Sequence, residues 1–219
     1  MKSLIVFFSI ILASCSILNS GNIAPGYKEA FKAIRGVVLG YDNEFLSREI
    51  IDNIPYASSS LQIGKGTPGL IILESLQQKK ETWISADGVY IVVSDGKIVQ
   101  TAGLENNLKE IKLNELNLKK FIAKGVKESR ISYYSYDSPK LTDLKVYSTF
   151  TLSAKETIEI YGIKKQLHKV EEQINNDYIG WSKKNVYWAD DEGFVWKSRQ
   201  YISPRLPIFY LEVTTKPAY

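Results

Sequence analysis

Three consecutive carboxylates, Asp190, Asp191 and Glu192, stand between Trp188 and Trp196 in the stretch "YWADDEGFVW". Acids beside tryptophans are the residue types of a glycan-cleaving site. There the two carboxyls must sit about 5 Å apart for retention or about 6.5–9.5 Å for inversion, and one needs a raised pKa. Adjacent residues at a solvated loop tip supply neither the separation nor the burial. The same residues also make a hairpin turn. Asp190 takes the first position of a type I turn, Asp191 and Glu192 the centre, and Gly193 the left-handed position. In that register Asp190 pairs with Phe194, Ala189 with Val195, and Trp188 with Trp196. The turn accounts for every residue of the stretch and is the expectation.

Other chemistries find less support. The single histidine, His168, lies in a lysine-rich segment and is expected at the surface. No His-based metal cluster can form, and no metal or cofactor is expected. No G-x-S-x-G elbow occurs. "GKGTPG", residues 64–69, lacks phosphate-loop spacing and reads as a turn.

The one cysteine, Cys15, offers a different chemistry. It follows Leu12-Ala13-Ser14, behind Lys2 and an apolar run from Leu4 to Leu12. The run is too short to span a bilayer and matches the core of a secretory signal. The arrangement resembles the bacterial lipobox, in which the cysteine is diacylated and, after cleavage, acylated at its new amino terminus. The alternative is an ordinary secretory signal with an incidental cysteine. Lipidation gives the lone thiol a role. Each buried acyl CH₂ contributes about 0.8 kcal/mol, and two or more chains anchor stably. Ser16 in place of aspartate implies, by the same resemblance, sorting to the outer membrane.

The elements that would position these residues follow from patterning. Residues 1–14 read as signal peptide, 15–26 as a polar tether and 27–219 as a single β-rich domain. Tyr27, Phe31, Ile34, Val38 and Tyr41 lie on one helical face. "SLQIGKGTPGLIILESL" gives two strands around a Gly/Pro turn. Asp95-Gly96, between "VYIVV" and "KIVQT", is a two-residue hairpin signal. A short helix is expected near Leu116–Ala123. "RISYYSYD", "DLKVYSTFTL" and "ETIEIYG" alternate as strands. "IKKQLHKVEEQI" fits a helical face through Ile163, Leu167, Val170 and Ile174, yet it continues one strand and precedes another, and strand is expected. "NVYWADDEGFVWKSRQYI" forms a hairpin, residues 203–207 a bend, and "IFYLEVTT" the final strand. The fold expected is mainly β: an antiparallel β-sandwich or open barrel with one or two short helices.

Charge narrows the partners. Lys and Arg number 28 against 24 acids, a formal net charge of +4, with the lysines scattered. There is no basic stripe and no nucleic-acid motif, so nucleic acid is not an expected partner. Fourteen tyrosines and four tryptophans suit a β protein with large buried or ligand-facing rings.

The segments "IPYASSSLQIGKGTPGLIILE", "ETWISADGVYIVVSDGKIVQTAGL" and "VYWADDEGFVWKSRQYISPRLPIFYLEVTTKP" resemble the YjbF/GfcB-type outer-membrane lipoproteins encoded with exopolysaccharide or group 4 capsule export genes. The resemblance is strongest over Ile54–Leu104 and Trp181–Pro217. It implies a β-rich, periplasm-facing lipoprotein of the outer membrane that assists polysaccharide secretion or assembly, and it carries over no catalytic residue. The expected partners are an outer-membrane polysaccharide secretion protein, the polysaccharide itself, and the membrane through the acyl chains. Trp83, Trp181, Trp188, Trp196 and Tyr201 are the rings that could stack on sugar or a partner, against core packing as the alternative. Arg199 and Arg205 are the charged candidates, against a solvated rim. Two other classes stay open: a glycan-modifying enzyme, which needs a deep pocket with facing carboxylates, and a structural plug or scaffold for an outer-membrane pore, which needs an exposed apolar patch.

Overall fold

A computed structural model describes residues 46–112 and 116–218. Cys15, the tether and the helical face at 27–41 lie outside the described residues.

Twelve strands form one antiparallel sheet: β1 (Ser58–Ile63), β2 (Gly69–Gln77), β3 (Lys80–Ser85), β4 (Tyr90–Ser94), β5 (Lys97–Ala102), β6 (Leu108–Lys112), β7 (Glu128–Asp137), β8 (Lys140–Ile160), β9 (Ile163–Asn176), β10 (Trp181–Ala189), β11 (Val195–Gln200) and β12 (Phe209–Thr215). Two helices are short: α1 (Arg48–Asp52) and α2 (Leu118–Lys124). The strand order is β5-β4-β3-β2-β1-β12-β11-β10-β9-β8-β7-β6. The two ends nearly meet, because the Leu108 N–H on β6 donates to Thr101 Oγ1 on β5 at 2.9 Å. The result is the barrel-like member of the expected pair, which leaves little open edge.

Period-two alternation sets the inner face. On β7, Ser132, Tyr134 and Tyr136 are buried while Ile131 and Tyr133 are exposed. The interior is filled by both halves of the sheet: Leu61, Ile71, Trp83 and Ile98 from one side meet Tyr134, Val146, Ile174 and Trp181 from the other. Side chains also tie across it. Gln200 of β11 donates to Gly96 O at 2.9 Å and accepts from Ile98 N at 2.9 Å. Tyr136 OH donates to Ile202 O at 2.8 Å.

The Asp95-Gly96 turn has positive φ at both residues, as a two-residue hairpin requires. The "IKKQLHKVEEQI" segment is strand β9. Two expectations change. β6 was not foreseen, since "LKEIK" places only Leu108 in the buried interior. "DLKVYSTFTL" and "ETIEIYG" are one strand, β8, bent at an irregularity between Leu152 and Lys155. Beyond that point β8 and β9 pair only with each other and form an arm. The arm folds over the outer face of β10 and β11, where Ile160 and Leu167 pack on Val186 and Trp188.

Candidate functional site

The acid turn keeps its expected backbone. Asp190 N–H donates to Phe194 O at 3.0 Å, Gly193 N–H to Asp190 O at 2.9 Å, and Gly193 has φ +82°. Ala189 pairs with Val195 as expected. The next pair does not hold: a bulge sets Trp188 opposite Lys197, not Trp196. The extra residue is Trp196, freed to turn its indole back, so that Nε1–H donates to Asp190 Oδ2 at 3.0 Å.

Each carboxylate of the turn is engaged. Asp190 Oδ1 accepts from the N–H groups of Glu192 at 3.1 Å and Phe194 at 2.9 Å. Asp191 Oδ1 takes Lys155 Nζ at 2.8 Å and His168 Nε2–H at 2.8 Å. These donors hold its carboxyl below the ordinary aspartate range. Glu192 pairs with Lys119. His168, expected at the surface, is largely covered, with its side chain 17% exposed.

The turn clasps helix α2. Asn117 caps that helix by accepting from Lys120 N–H at 2.9 Å, and Gly125 ends it in the left-handed conformation. Leu118 and Phe121 enter a cluster with Phe150, Val170, Tyr187 and Val195. Phe121 meets Phe150 edge-on at 6.2 Å. Gly193 lies so near the first turn of the helix that only glycine fits: a β-carbon there would stand 2.6 Å from Lys119 N.

Between this clasp, the β4–β5 turn and strands β11–β12 lies a cavity of about 500 Å³, within the size range of small-ligand sites. Val93, Phe194 and Leu211 form apolar wall, with Lys79, Lys119 and Lys216 at the rim. Lys216 Nζ lies 4.4 Å from the Phe194 ring centroid. Glu81, Asp95 and Glu192 supply the acids. Glu81 accepts from Trp83 Nε1–H at 3.0 Å. Charges of both signs around an apolar wall suit binding.

Deeper in the barrel is a feature that sequence reasoning missed. Glu172 of β9 is fully buried and forms an ion pair with Lys97 of β5 at 2.5 Å. It also accepts from Ser148 Oγ at 2.8 Å, Asn185 Nδ2 at 3.0 Å and Tyr187 OH at 2.7 Å. Burial pushes its pKa up, but the Lys97 charge and the hydrogen bonds from Lys97, Tyr187 and Asn185 hold it below the ordinary range. Lys97 is held above its ordinary value: burial lowers it, and Glu172 together with Tyr134 more than reverses that. The signal was available, because alternation places Glu172 on the same face as Val170 and Ile174.

The seven candidate contact residues do not converge. Trp83 is 0% exposed, and Trp181 is buried edge-on to Tyr134 at 5.9 Å. Both are interior residues, closed to a ligand. Trp188 is buried for another reason: it faces outward but lies under the β8–β9 arm, donating from Nε1 to Glu156 Oε2 at 3.0 Å. Trp188 and Lys169 hold the Glu156 carboxyl below its ordinary range. Arg199 lies beside the Trp188 ring at 5.4 Å. Trp196 is half-buried, with Phe194 edge-on at 5.1 Å and Lys165 Nζ 3.6 Å from its centroid. Tyr201 is half-buried with Lys183 Nζ at 5.1 Å, and Arg205 is exposed in the bend after β11.

A nearly closed antiparallel barrel with its end held by a clasped helix defines a class of β-rich domain. Its fold is that of a solved structure, the lipoprotein YmcC from Escherichia coli K12: TM-score 0.71 at 21% identity, covering 91% of this chain and 99% of that one. The sequence profile of the group 4 capsule polysaccharide lipoproteins, GfcB and YjbF, matches residues 31–215, and the chain belongs to that family. It is 25% identical to the lipoprotein GfcB of Escherichia coli K12 over 207 residues, 91% of this chain and 92% of that one. It is 22% identical to the lipoprotein YjbF of the same organism over 202 residues, 90% of each.

Proposed function

We propose that this protein is a lipid-anchored accessory factor of the outer membrane that assists exopolysaccharide or capsule secretion by contact and not by catalysis. The observation that carries the reading is the family match across residues 31–215, to proteins described as group 4 capsule polysaccharide lipoproteins. Cys15, behind its apolar run, supplies the anchor. The partner is an outer-membrane secretion protein, with glycan as a second contact.

A general acid for glycan cleavage needs a raised pKa; Asp191 of the acid turn, held low by Lys155 and His168, is not poised for that task. The second reading, a glycan-modifying enzyme, rests on the cavity, which has Glu81, Asp95 and Glu192 on its wall. Deleting the gene and measuring secreted polysaccharide tests the pathway, and secretion is expected to fall. Complementation with Glu81→Gln and Asp95→Asn separates the readings. Restored secretion is expected. Failure of both variants at normal abundance and fold would favour the enzyme.

A further inference from the structure

The outer face of the sheet is treated in two ways. Over β10 and β11 the chain covers it with its own arm. Over β7, β8 and the adjoining part of β9 and β10, no described element covers it. There Tyr133 and Tyr147 stand 40% and 44% exposed on neighbouring strands, with Ile131 directly opposite Tyr147. Lys145 Nζ lies 4.9 Å from the Tyr147 ring centroid.

Beside the rings runs a row of hydrogen-bonding side chains. Asn175 pairs with Tyr147 on one side and Ser182 on the other. Ser182 Oγ donates to Asn175 Oδ1 at 2.7 Å, and Gln173 Nε2 donates to Ser182 Oγ at 3.0 Å. Gln173 also lines a shallow groove of about 270 Å³ with Lys127, Thr149, Thr151, Glu171 and Lys184. From Lys145 to Thr151 the face extends about 20 Å at roughly 3.3 Å per residue.

Resting on the export reading, we infer that this face binds a stretch of polysaccharide chain carrying acidic groups. Exposed tyrosines on a flat sheet offer ring faces to the C–H surfaces of sugars, with their hydroxyls at the edge. The amide and hydroxyl row provides donors and acceptors for sugar hydroxyls. An apolar protein partner would leave that row desolvated and partly unpaired, at a cost. The charge balance sets the sign of the ligand: Lys184 pairs with Glu171 at 3.2 Å, which leaves Lys127 and Lys145 as the excess charge of the groove and the ring pair. The face lies outside the end cavity and includes none of the seven ring and arginine candidates.

The test uses polysaccharide purified from wild-type culture, its carboxyl-reduced form, and the purified full-length protein in detergent, in calorimetry or affinity electrophoresis. Tyr133→Ala and Tyr147→Ala should each weaken binding about tenfold or more. Lys127→Gln with Lys145→Gln should weaken binding to the native polymer and leave the weaker binding to the reduced form unchanged. Tyr56→Ala, exposed but outside the face, should bind as wild type. Circular dichroism checks that each variant is folded. Binding untouched by both tyrosine changes would overturn the proposal, as would absence of binding. A protein trapped by a photo-crosslinker at residue 147, without glycan binding, would make the face a protein interface instead. None of these failures touches the export reading, which stands or falls on secretion in the deletion strain.

Discussion

Gly193 and Lys119 approach so closely that a β-carbon on the glycine would lie 2.6 Å from the lysine backbone nitrogen. The acid turn and the helix at the barrel end are fitted to each other through this contact. Gly193→Val adds a strained left-handed β-branched residue to a collision with backbone. It should destabilise the fold by about 2–4 kcal/mol in urea unfolding. Amide exchange should rise first along Leu118–Lys124. An unchanged midpoint would refute the clasp.

The carboxylates divide by task. Asp191 and Glu192 are solvent-facing ion-pair partners, whereas Asp190 organises the turn and the Trp196 indole. Asp191→Asn and Glu192→Gln should leave secretion near wild type. Asp190→Ala should lower stability by about 1–3 kcal/mol through its lost hydrogen bonds. Abolished secretion in a folded, normally abundant Asp191→Asn or Glu192→Gln protein would return catalysis to this turn.

The buried Lys97–Glu172 pair gives stability a pH dependence of definite sign. Glu172 has a lower pKa folded than unfolded. Its contribution is therefore complete above the ordinary glutamate value of about 4.3, and is lost as pH falls from there through the folded value. Glu156 and Asp191 act in the same direction. Glu172→Gln should flatten this acid limb. At neutral pH it should cost about 3–5 kcal/mol, because Lys97 is left buried without its counter-charge. Adding Lys97→Met should cost less than the sum of the two single changes. Additive costs would show that the pair is not coupled.

The arm over Trp188 can be released. Ile160→Asp places a charge in the cluster of Leu167, Val186 and Trp188. Tryptophan emission should shift to the red as Trp188 and Trp196 meet water, and trypsin should cut early at Lys164 or Lys165. Unchanged emission and cleavage would mean that the arm is held elsewhere.

Strand alternation and turn chemistry made most of the sheet legible. The Asp95-Gly96 and Asp190–Gly193 turns are local signals, and each forms where its residues require. Two things were not local. The bulge that slips Trp188 past Trp196 is stabilised by Asp190 capturing an indole, a tertiary choice that pairing rules do not contain. The burial of Trp188 comes from an arm that folds back from β8 and β9, so an outward-facing ring becomes a covered one. The exposed tyrosines on β7 and β8 show the converse. Their alternation was readable, but not that nothing in the described chain would cover them.

The proposed action as a tethered body beside the outer membrane is tested most directly by secreted polysaccharide in a strain whose only copy carries Ser16→Asp, the change that retains a lipoprotein at the inner membrane in enteric-type sorting. The domain should be folded, lipidated and abundant, with secretion lost as in the deletion strain. Wild-type secretion from the relocated protein would contradict the claim and shift the account to action within the periplasm.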